Sequence, residues 1–116
     1  MPSRFPHPLA VALAVAALGV TALGAAPAQA RPAFCKTTDD GAYPCDFQPE
    51  GRDGSFTVRA PGKPTHTLLV TEPGVAAGFT RFGAGQSVPL PGLFLRSRTD
   101  PGCWVNDQTA ARICAR

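Results

Sequence analysis

The chain has 116 residues and a formal net charge of +3, with 13 prolines, 12 glycines and four cysteines. This length is that of one small domain, and so slight a positive charge gives no reason to expect nucleic acid or an anionic membrane surface as a partner. The composition therefore excludes a multidomain enzyme and a polybasic protein.

The first 30 residues are typical of a secretory signal peptide. Arg4 precedes a predominantly apolar run from Leu9 to Ala26, and Ala28-Gln29-Ala30 supplies the small residues of a cleavage site after Ala30. An uncleaved transmembrane anchor is the alternative, but the run is alanine-rich and shorter than the roughly 20 residues of a span. We therefore expect a mature domain of residues 31–116 in a bacterial protein that is periplasmic or secreted.

All four cysteines lie in the mature part. An even number of cysteines in an exported chain predicts disulfides, which commonly stabilise domains with so small a core. Three connectivities are possible. Matched hairpin spacings favour the local pairs Cys35–Cys45 and Cys103–Cys114, whereas chain entropy mildly favours links between the two ends, about 4.5 against about 3 kcal/mol.

The mature chain begins with a predicted hairpin around Asp39-Asp40-Gly41. Gly41 suits the left-handed last position of a three-residue loop, because it has no Cβ to clash there. If the loop spans residues 39–41, Cys35 lies directly opposite Cys45. The local disulfide and the turn chemistry then agree.

Short apolar alternations predict strands through the rest of the chain. Turns rich in Gly and Pro recur about every ten residues, and no segment keeps a helical period. Pro44 lacks an N–H, so its strand is expected at a sheet edge or with Pro44 near its start. The predicted strands lie at 34–38, 42–47, 56–60, 65–71, 75–82, 86–90 and 93–98, the last with either Phe94 or both Leu93 and Leu95 facing inward.

A second hairpin is predicted at the end of the chain. If Cys103 opposes Cys114, Trp104 opposes Ile113, which is a favourable pairing of an aromatic with a β-branched residue. The turn then begins at Asn106 and Asp107. Together the elements predict an all-β fold, a small disulfide-linked antiparallel sandwich or barrel of about 6–8 short strands.

Signatures of catalysis are sparse. The mature part has one histidine, His66, which rules out a two-histidine metal motif, and it has no Gly-x-Ser-x-Gly sequence. Most acidic residues adjoin Gly or Pro, as turn residues do. We therefore predict no catalytic residue, no metal and no cofactor. A small hydrolase built on two carboxylates is the weaker alternative.

Binding to a partner is the leading functional prediction, in a protein that is exported and non-catalytic. Trp104 is either a core residue or an exposed hot spot. Arg81, Arg96 and Arg98 would form a cationic surface if the sheet gathered them on one face. The expected partner is a protein or an envelope component. No nucleic acid is expected, and no membrane span after signal cleavage.

Tyr43-Pro44-Cys45 is similar to the Tyr-x-Cys of the membrane-bound inhibitors of c-type lysozyme, which are small periplasmic β-barrels. The resemblance implies an alternative function, inhibition of an extracytoplasmic hydrolase such as lysozyme, with an exposed loop at 83–92 entering the enzyme cleft. The chain departs from the family in having four cysteines, no lipid-attachment cysteine and no segment that matches the inhibitory loop. No functional residue is therefore carried over.

Overall fold

The computed structural model describes residues 29–116, and the predicted signal peptide up to residue 28 lies outside the described residues. These residues form nine strands that all pair antiparallel. The first strand begins at Arg31, directly after the predicted cleavage position. The strands are β1 Arg31–Thr37, β2 Gly41–Pro49, β3 Phe56–Arg59, β4 Thr65–Glu72, β5 Val75–Arg81, β6 Ser87–Pro89, β7 Phe94–Arg96, β8 Cys103–Asn106 and β9 Arg112–Ala115.

Eight of these strands close into an antiparallel barrel, which decides between the two predicted architectures. Consecutive strands pair, except β6 and β7, which both pair with β5, and the ring closes where β1 pairs with β9. Strand β5 pairs with β4 along one edge; on its other edge β7 takes the beginning of β5 and β6 takes its end. Closure leaves no long unpaired sheet edge, which is how small β-domains avoid edge-to-edge association.

The interior of the barrel is filled by side chains. Phe94, Leu68, Val58 and Cys35 are the largest side chains that are fully buried. On β7 it is therefore Phe94 that faces inward, while Leu93 and Leu95 are exposed. A barrel of eight strands has an interior just wide enough for such side chains.

Gly78, in the middle of β5, makes room for Phe94. A Cβ placed on Gly78 would lie 2.4 Å from Cε1 of that ring, far inside van der Waals contact. A glycine within a strand commonly marks such a close approach.

The first hairpin differs by two residues from its predicted register. Thr37 pairs with Gly41 and Cys35 pairs with Tyr43, so the loop is formed by residues 38–40. The turn closes earlier because Thr37 Oγ1 accepts the Asp40 N–H at 3.0 Å, while Gly41, at φ +68°, is already the first residue of β2. The expectation that Cys35 directly opposes Cys45 was wrong.

Both disulfides nevertheless have the local connectivity. Cys35 and Cys45 bond across diagonal positions, with their Cα atoms 5.9 Å apart. Cys103 and Cys114 bond across directly opposite positions, with their Cα atoms 4.0 Å apart. Paired cysteines are typical of an oxidising, extracytoplasmic compartment.

Strand β2 is not an edge strand, contrary to the expectation from Pro44, because β1 and β3 flank it. The ladder to β3 covers only residues 46–49, however. Pro44 lies outside that ladder, so its missing N–H breaks no hydrogen bond there. The proline is tolerated because the neighbouring strand is short.

The second hairpin has the predicted register, with Trp104 opposite Ile113. Asn106, only 3% exposed, begins its turn. Its Oδ1 accepts the N–H groups of Gln108 and Thr109, and its Nδ2 donates to the Pro91 carbonyl at 2.7 Å. One side chain thus shapes this turn and fixes the preceding loop against it.

No helix in the described part of the chain is long and apolar enough to cross a membrane.

Candidate functional site

The barrel has two ends, which differ in the side chains that they gather. We call one the Trp104 end; the turns at 50–55, 73–74 and 97–102 surround it. We call the opposite one the His66 end; the β1–β2 turn surrounds it, together with the loops before β4, after β5 and before β9. The Trp104 end is the candidate site, because it brings together two of the predicted binding residues.

Trp104 and Arg96 lie directly opposite each other on β8 and β7. Trp104 is 5% exposed and belongs to the core, which is the first of its two predicted alternatives. The Arg96 guanidinium lies over its ring, 5.7 Å from the centroid, a distance at which a cation is attracted to an aromatic face. Arg96 Nε also donates to the Pro101 carbonyl at 2.9 Å, which holds the guanidinium at the open end.

Two cavities meet at this pair of side chains. One has a volume of about 410 Å³ and the other about 270 Å³. Arg96, Trp104 and Gly54 line both. With Nε bonded to Pro101, the Nη groups have no acceptor among residues 29–116. They are positioned to bind an anionic group in either cavity.

The larger cavity also has acidic walls, formed by Asp53 and Glu72. The Ser55 N–H donates to Asp53 Oδ1 at 3.0 Å. Hydrogen bonds from the side chain and backbone of Ser55 hold the pKa of Asp53 below its ordinary value, because they favour the carboxylate. Asp53 therefore faces the cavity as an anion, so positive and negative groups share one cavity.

A second cationic group caps an aromatic ring in the smaller cavity. The Arg31 guanidinium lies 4.4 Å from the centre of the Phe47 ring, and that ring stacks on Phe56 at 5.0 Å. This end therefore consists of aromatic rings covered by guanidinium groups. Such a surface suits a ligand with acidic and flat apolar groups.

The other two predicted binding residues lie elsewhere. Arg81 is on the outer face of the barrel at the end of β5, and Arg98 is exposed in the turn before β8. The arginines therefore do not form one cationic face. The structure brings Trp104 and Arg96 together and leaves Arg81 and Arg98 apart from them.

The His66 end has a cavity of about 270 Å³ lined by His66, Thr80, Asp39, Asp40 and several apolar side chains. His66 Nδ1 lies 2.9 Å from Thr80 Oγ1, and Nε2 is buried without a partner in the described chain. Burial lowers the pKa of His66, and the Asp40 and Asp39 carboxylates partly oppose the shift. The imidazole is accordingly neutral near neutral pH.

Sequence patterns missed several residues of the candidate site. Asp53 and Glu72 adjoin Gly or Pro, as ordinary turn residues do. The residues next to Arg31 in the sequence give no sign of its contact with Phe47. Arg31 meets Phe47 through the observed register of β1 and β2, and Asp53 and Glu72 meet Arg96 and Trp104 only in the folded barrel. In the described part of the chain, no group of His, Cys, Asp or Glu side chains is arranged to hold a metal ion.

Tyr43 and Cys45, which carried the resemblance to the lysozyme inhibitors, are both buried in the core. Comparison with known proteins gives no match to any family model, and no significant match among curated proteins or solved structures. A barrel of this kind supports many unrelated activities. Function is therefore inferred from the geometry of the surfaces that this chain presents.

Proposed function

We propose that this protein is a periplasmic or secreted, non-catalytic binding domain that recognises a partner of the cell envelope or medium at its Trp104 end. The observation that carries the proposal is the Arg96 guanidinium, which Pro101 holds over Trp104 where two cavities meet. Ligand sites of small barrels commonly lie at such open ends. The partner is a protein or an envelope component.

The charges of this end indicate what the partner presents. Arg96 and Arg31 favour an acidic group on it, and Asp53 and Glu72 favour a basic group beside that acidic one. Opposite charges placed a few ångströms apart confer specificity more than affinity. A partner segment carrying both signs therefore fits this end better than a uniformly charged polymer.

A binding role also suits the state of the carboxylates better than hydrolysis does. A carboxylate-based hydrolase needs one carboxyl group with a raised pKa. The pKa of Asp53 in the larger cavity is lowered instead. The Arg116 guanidinium likewise lowers the pKa of Asp100.

The test is capture of partners by immobilised protein, purified after export, from the envelope and medium of its own cells. Wild type is compared with Arg96→Gln and with Arg112→Gln, a matched loss of charge in an exposed residue at the opposite end of the barrel. We expect components that bind wild type and Arg112→Gln but not Arg96→Gln. The sole tryptophan, Trp104, should report their binding as a change in fluorescence. Equal capture on all three proteins contradicts the proposal.

Inhibition of a lysozyme-like hydrolase is the second candidate, and the segment after β5 favours it. Residues 81–89 are exposed throughout, with Phe82 at 66% and Val88 at 50% exposure. Exposed apolar side chains on a hairpin are suited to entering an enzyme cleft. The 83–92 loop of the sequence prediction overlaps this segment over residues 83–89.

A lysozyme activity assay with purified protein in micromolar excess tests this candidate. Inhibition should be lost in Phe82→Ser and retained in Leu69→Ser, which changes an exposed leucine on β4. No inhibition by wild type, or equal inhibition by both variants, counts against the loop.

A further inference from the structure

A polar groove crosses the outer face of the barrel, beside the strand ends that lead into the loops of the His66 end and away from the Trp104 end. It has a volume of about 180 Å³ and lies over β3, β4, β5 and β6. Two arginines, Arg59 and Arg81, line it together with four hydroxyl side chains. The hydroxyl residues are Thr57, Thr65, Thr67 and Ser87.

Strand register explains why these residues meet. Thr65 lies directly opposite Arg81, and Arg81 directly opposite Ser87. Val58 pairs with His66 on the inner side, so Arg59 falls next to Thr65 on the outer side. The two arginines thus flank Thr65 on the same face, with backbones about 10 Å apart, because neighbouring strands are spaced about 4.8 Å. Both arginine side chains are long enough to bring their guanidinium groups into the space between the two backbones.

Neither arginine of the groove forms an ion pair within residues 29–116. Asp46 lies opposite Arg59 in the ladder of β2 and β3, but the ion pair among these residues joins Asp100 to Arg116. Arg31 and Arg96, by contrast, rest on aromatic rings. Two like charges that share one groove repel each other, so an anion bound between them removes a cost as well as adding contacts.

The hydroxyl groups extend the donor set. Thr57 Oγ1 donates to Glu50 Oε2 at 2.9 Å and lies 2.8 Å from Thr67 Oγ1. That arrangement leaves the Thr67 hydroxyl as the donor in the second contact. Thr65 and Ser87, beside the two arginines, have no such partner recorded in the described chain, and their hydroxyls remain available. Two guanidinium forks and two hydroxyls are donors at several points around one small volume.

We propose that this groove binds a tetrahedral oxyanion, a phosphate or sulfate group carried as a monoester on a larger molecule. Arginine forks match the oxygen spacing of such groups and bind them through paired charge-assisted hydrogen bonds. The groove accommodates one such group. This site is independent of the Trp104 end.

The probes are inorganic sulfate, inorganic phosphate and acetate, titrated into the purified exported protein at constant ionic strength. Amide resonances of Thr65, Arg81 and Ser87 should shift and saturate with sulfate and phosphate. Acetate should bind more weakly, because it has fewer oxygens. The ratio of the two tetrahedral affinities distinguishes a sulfate ester from a phosphate ester as the natural group.

Arg59→Gln and Arg81→Gln should each weaken binding about tenfold, as expected for loss of a hydrogen-bonded charge. Arg52→Gln makes the same change in net charge outside the groove and should leave the affinity within about twofold. Arg96→Gln should also leave the affinity of the groove unchanged. A wrong proposal for the Trp104 end is therefore distinguishable from a wrong proposal for the groove. The variants change exposed side chains, and unchanged thermal midpoints verify folding. A response that never saturates, or equal weakening by Arg52→Gln, overturns the proposal.

Discussion

The two disulfide hairpins have nearly the same spacing in the chain but lie on opposite sides of the barrel wall. Cys35 and Cys45, ten residues apart, belong to the packed core. Cys103 and Cys114, eleven residues apart, lie on the outer side, because Trp104 and Ile113 next to them face inward. The outer pair is covered by polar side chains, among them the ion pair of Asp100 and Arg116.

The difference shows that cysteine spacing indicates connectivity but not which side of the sheet a disulfide occupies. The side of the sheet that a cysteine faces depends on whether the cysteine alternates in phase with the apolar residues of its strand. Cys45 alternates in phase with Tyr43 and Phe47, whereas Cys103 is adjacent to Trp104 and so out of phase with it. The inner cross-link takes part in packing, and the outer one joins two strands beneath a polar cover.

The largest expected losses of unfolding free energy follow removal of either disulfide, and the two losses should differ. Each double cysteine-to-alanine variant should lose about 3 kcal/mol of unfolding free energy, because the unfolded chain is no longer constrained. Cys35→Ala with Cys45→Ala should lose about 1–2 kcal/mol more, since it also leaves a cavity in the core. Urea denaturation followed by Trp104 fluorescence measures both values.

Reduction of the wild type provides the control for this comparison. In reducing buffer all proteins lack cross-links, so the deficit that remains in the Cys35 and Cys45 variant reports the cavity alone. An equal loss in both double variants under oxidising conditions would mean that the inner disulfide contributes nothing to packing.

The next effect concerns the side chains that shape the two turns. Asn106→Ala removes three hydrogen bonds, two accepted and one donated, from a buried residue. Thr37→Ala removes one, from the Asp40 N–H. At about 1 kcal/mol for each bond, the losses should be about 3 and about 1 kcal/mol in denaturant unfolding.

Hydrogen exchange separates this explanation from a general loosening. Asn106→Ala should also release the amides of the loop at 90–93, because Asn106 Nδ2 holds the Pro91 carbonyl. Thr37→Ala should leave that loop protected. Protection unchanged in both variants would show that the loop is held by its other bonds, such as Asp107 Oδ1 to the Leu93 N–H.

Much of this architecture can be predicted from the sequence because strand alternation and turn chemistry are local. The Cys103 to Cys114 register follows from the alternation around Trp104, and Gly74, which follows Pro73, takes the positive φ that a type II turn requires at that position. The β1–β2 register cannot be predicted in this way. Both alternatives place Gly41 in the left-handed region, and a single hydrogen bond from Asp40 to Thr37 separates them.

The candidate site is less predictable, because its parts come from strands that are distant in the chain. The sequence identifies Trp104 and Arg96 as candidates, but their contact depends on the pairing of β7 with β8. The groove of Arg59 and Arg81 depends likewise on three adjoining ladders. Alternation alone places each arginine on the outer face; the pairing of β3 with β4 and of β4 with β5 makes them neighbours.

A smaller change in stability, of opposite sign in the two hairpins, comes from residues whose backbone angles lie in the left-handed region. Gly41 has φ +68° in the first turn, and Ala110 has φ +63° in the second. A side chain at such an angle costs about 1–2 kcal/mol, and nothing near Gly41 would contact an added Cβ. Gly41→Ala should therefore destabilise the protein by about 1 kcal/mol, and Ala110→Gly should stabilise it by about the same amount or less.

Thermal unfolding of these two variants, alone and combined, checks the prediction. The sites lie on separate turns, so the effects should add and nearly cancel in the double variant. Destabilisation by Ala110→Gly would mean that the flexibility gained by the unfolded chain outweighs the relief of strain.

The smallest effect is an electrostatic link between the first turn and His66, because the carboxylates that act on the pKa of His66 belong to that turn. Burial depresses the pKa of His66 below its ordinary 6.5, and the Asp40 and Asp39 carboxylates of the first turn partly restore it. Because the unfolded chain binds this proton more readily, the contribution of neutral His66 to stability is complete above about pH 6.5 and falls as the pH drops below that value.

Neutralising both carboxylates, as Asp39→Asn with Asp40→Asn, should lower the pKa of His66 further and steepen the loss of stability on acidification. Asp107→Asn, in the second turn, should leave this pKa unchanged. NMR titration of the His66 imidazole in the folded domain measures it directly, with His66→Gln as the variant whose stability lacks this pH dependence. A raised pKa would mean that the two carboxylates act on His66 mainly by excluding water from it and less through their charge. The first turn would then influence the His66 end through packing.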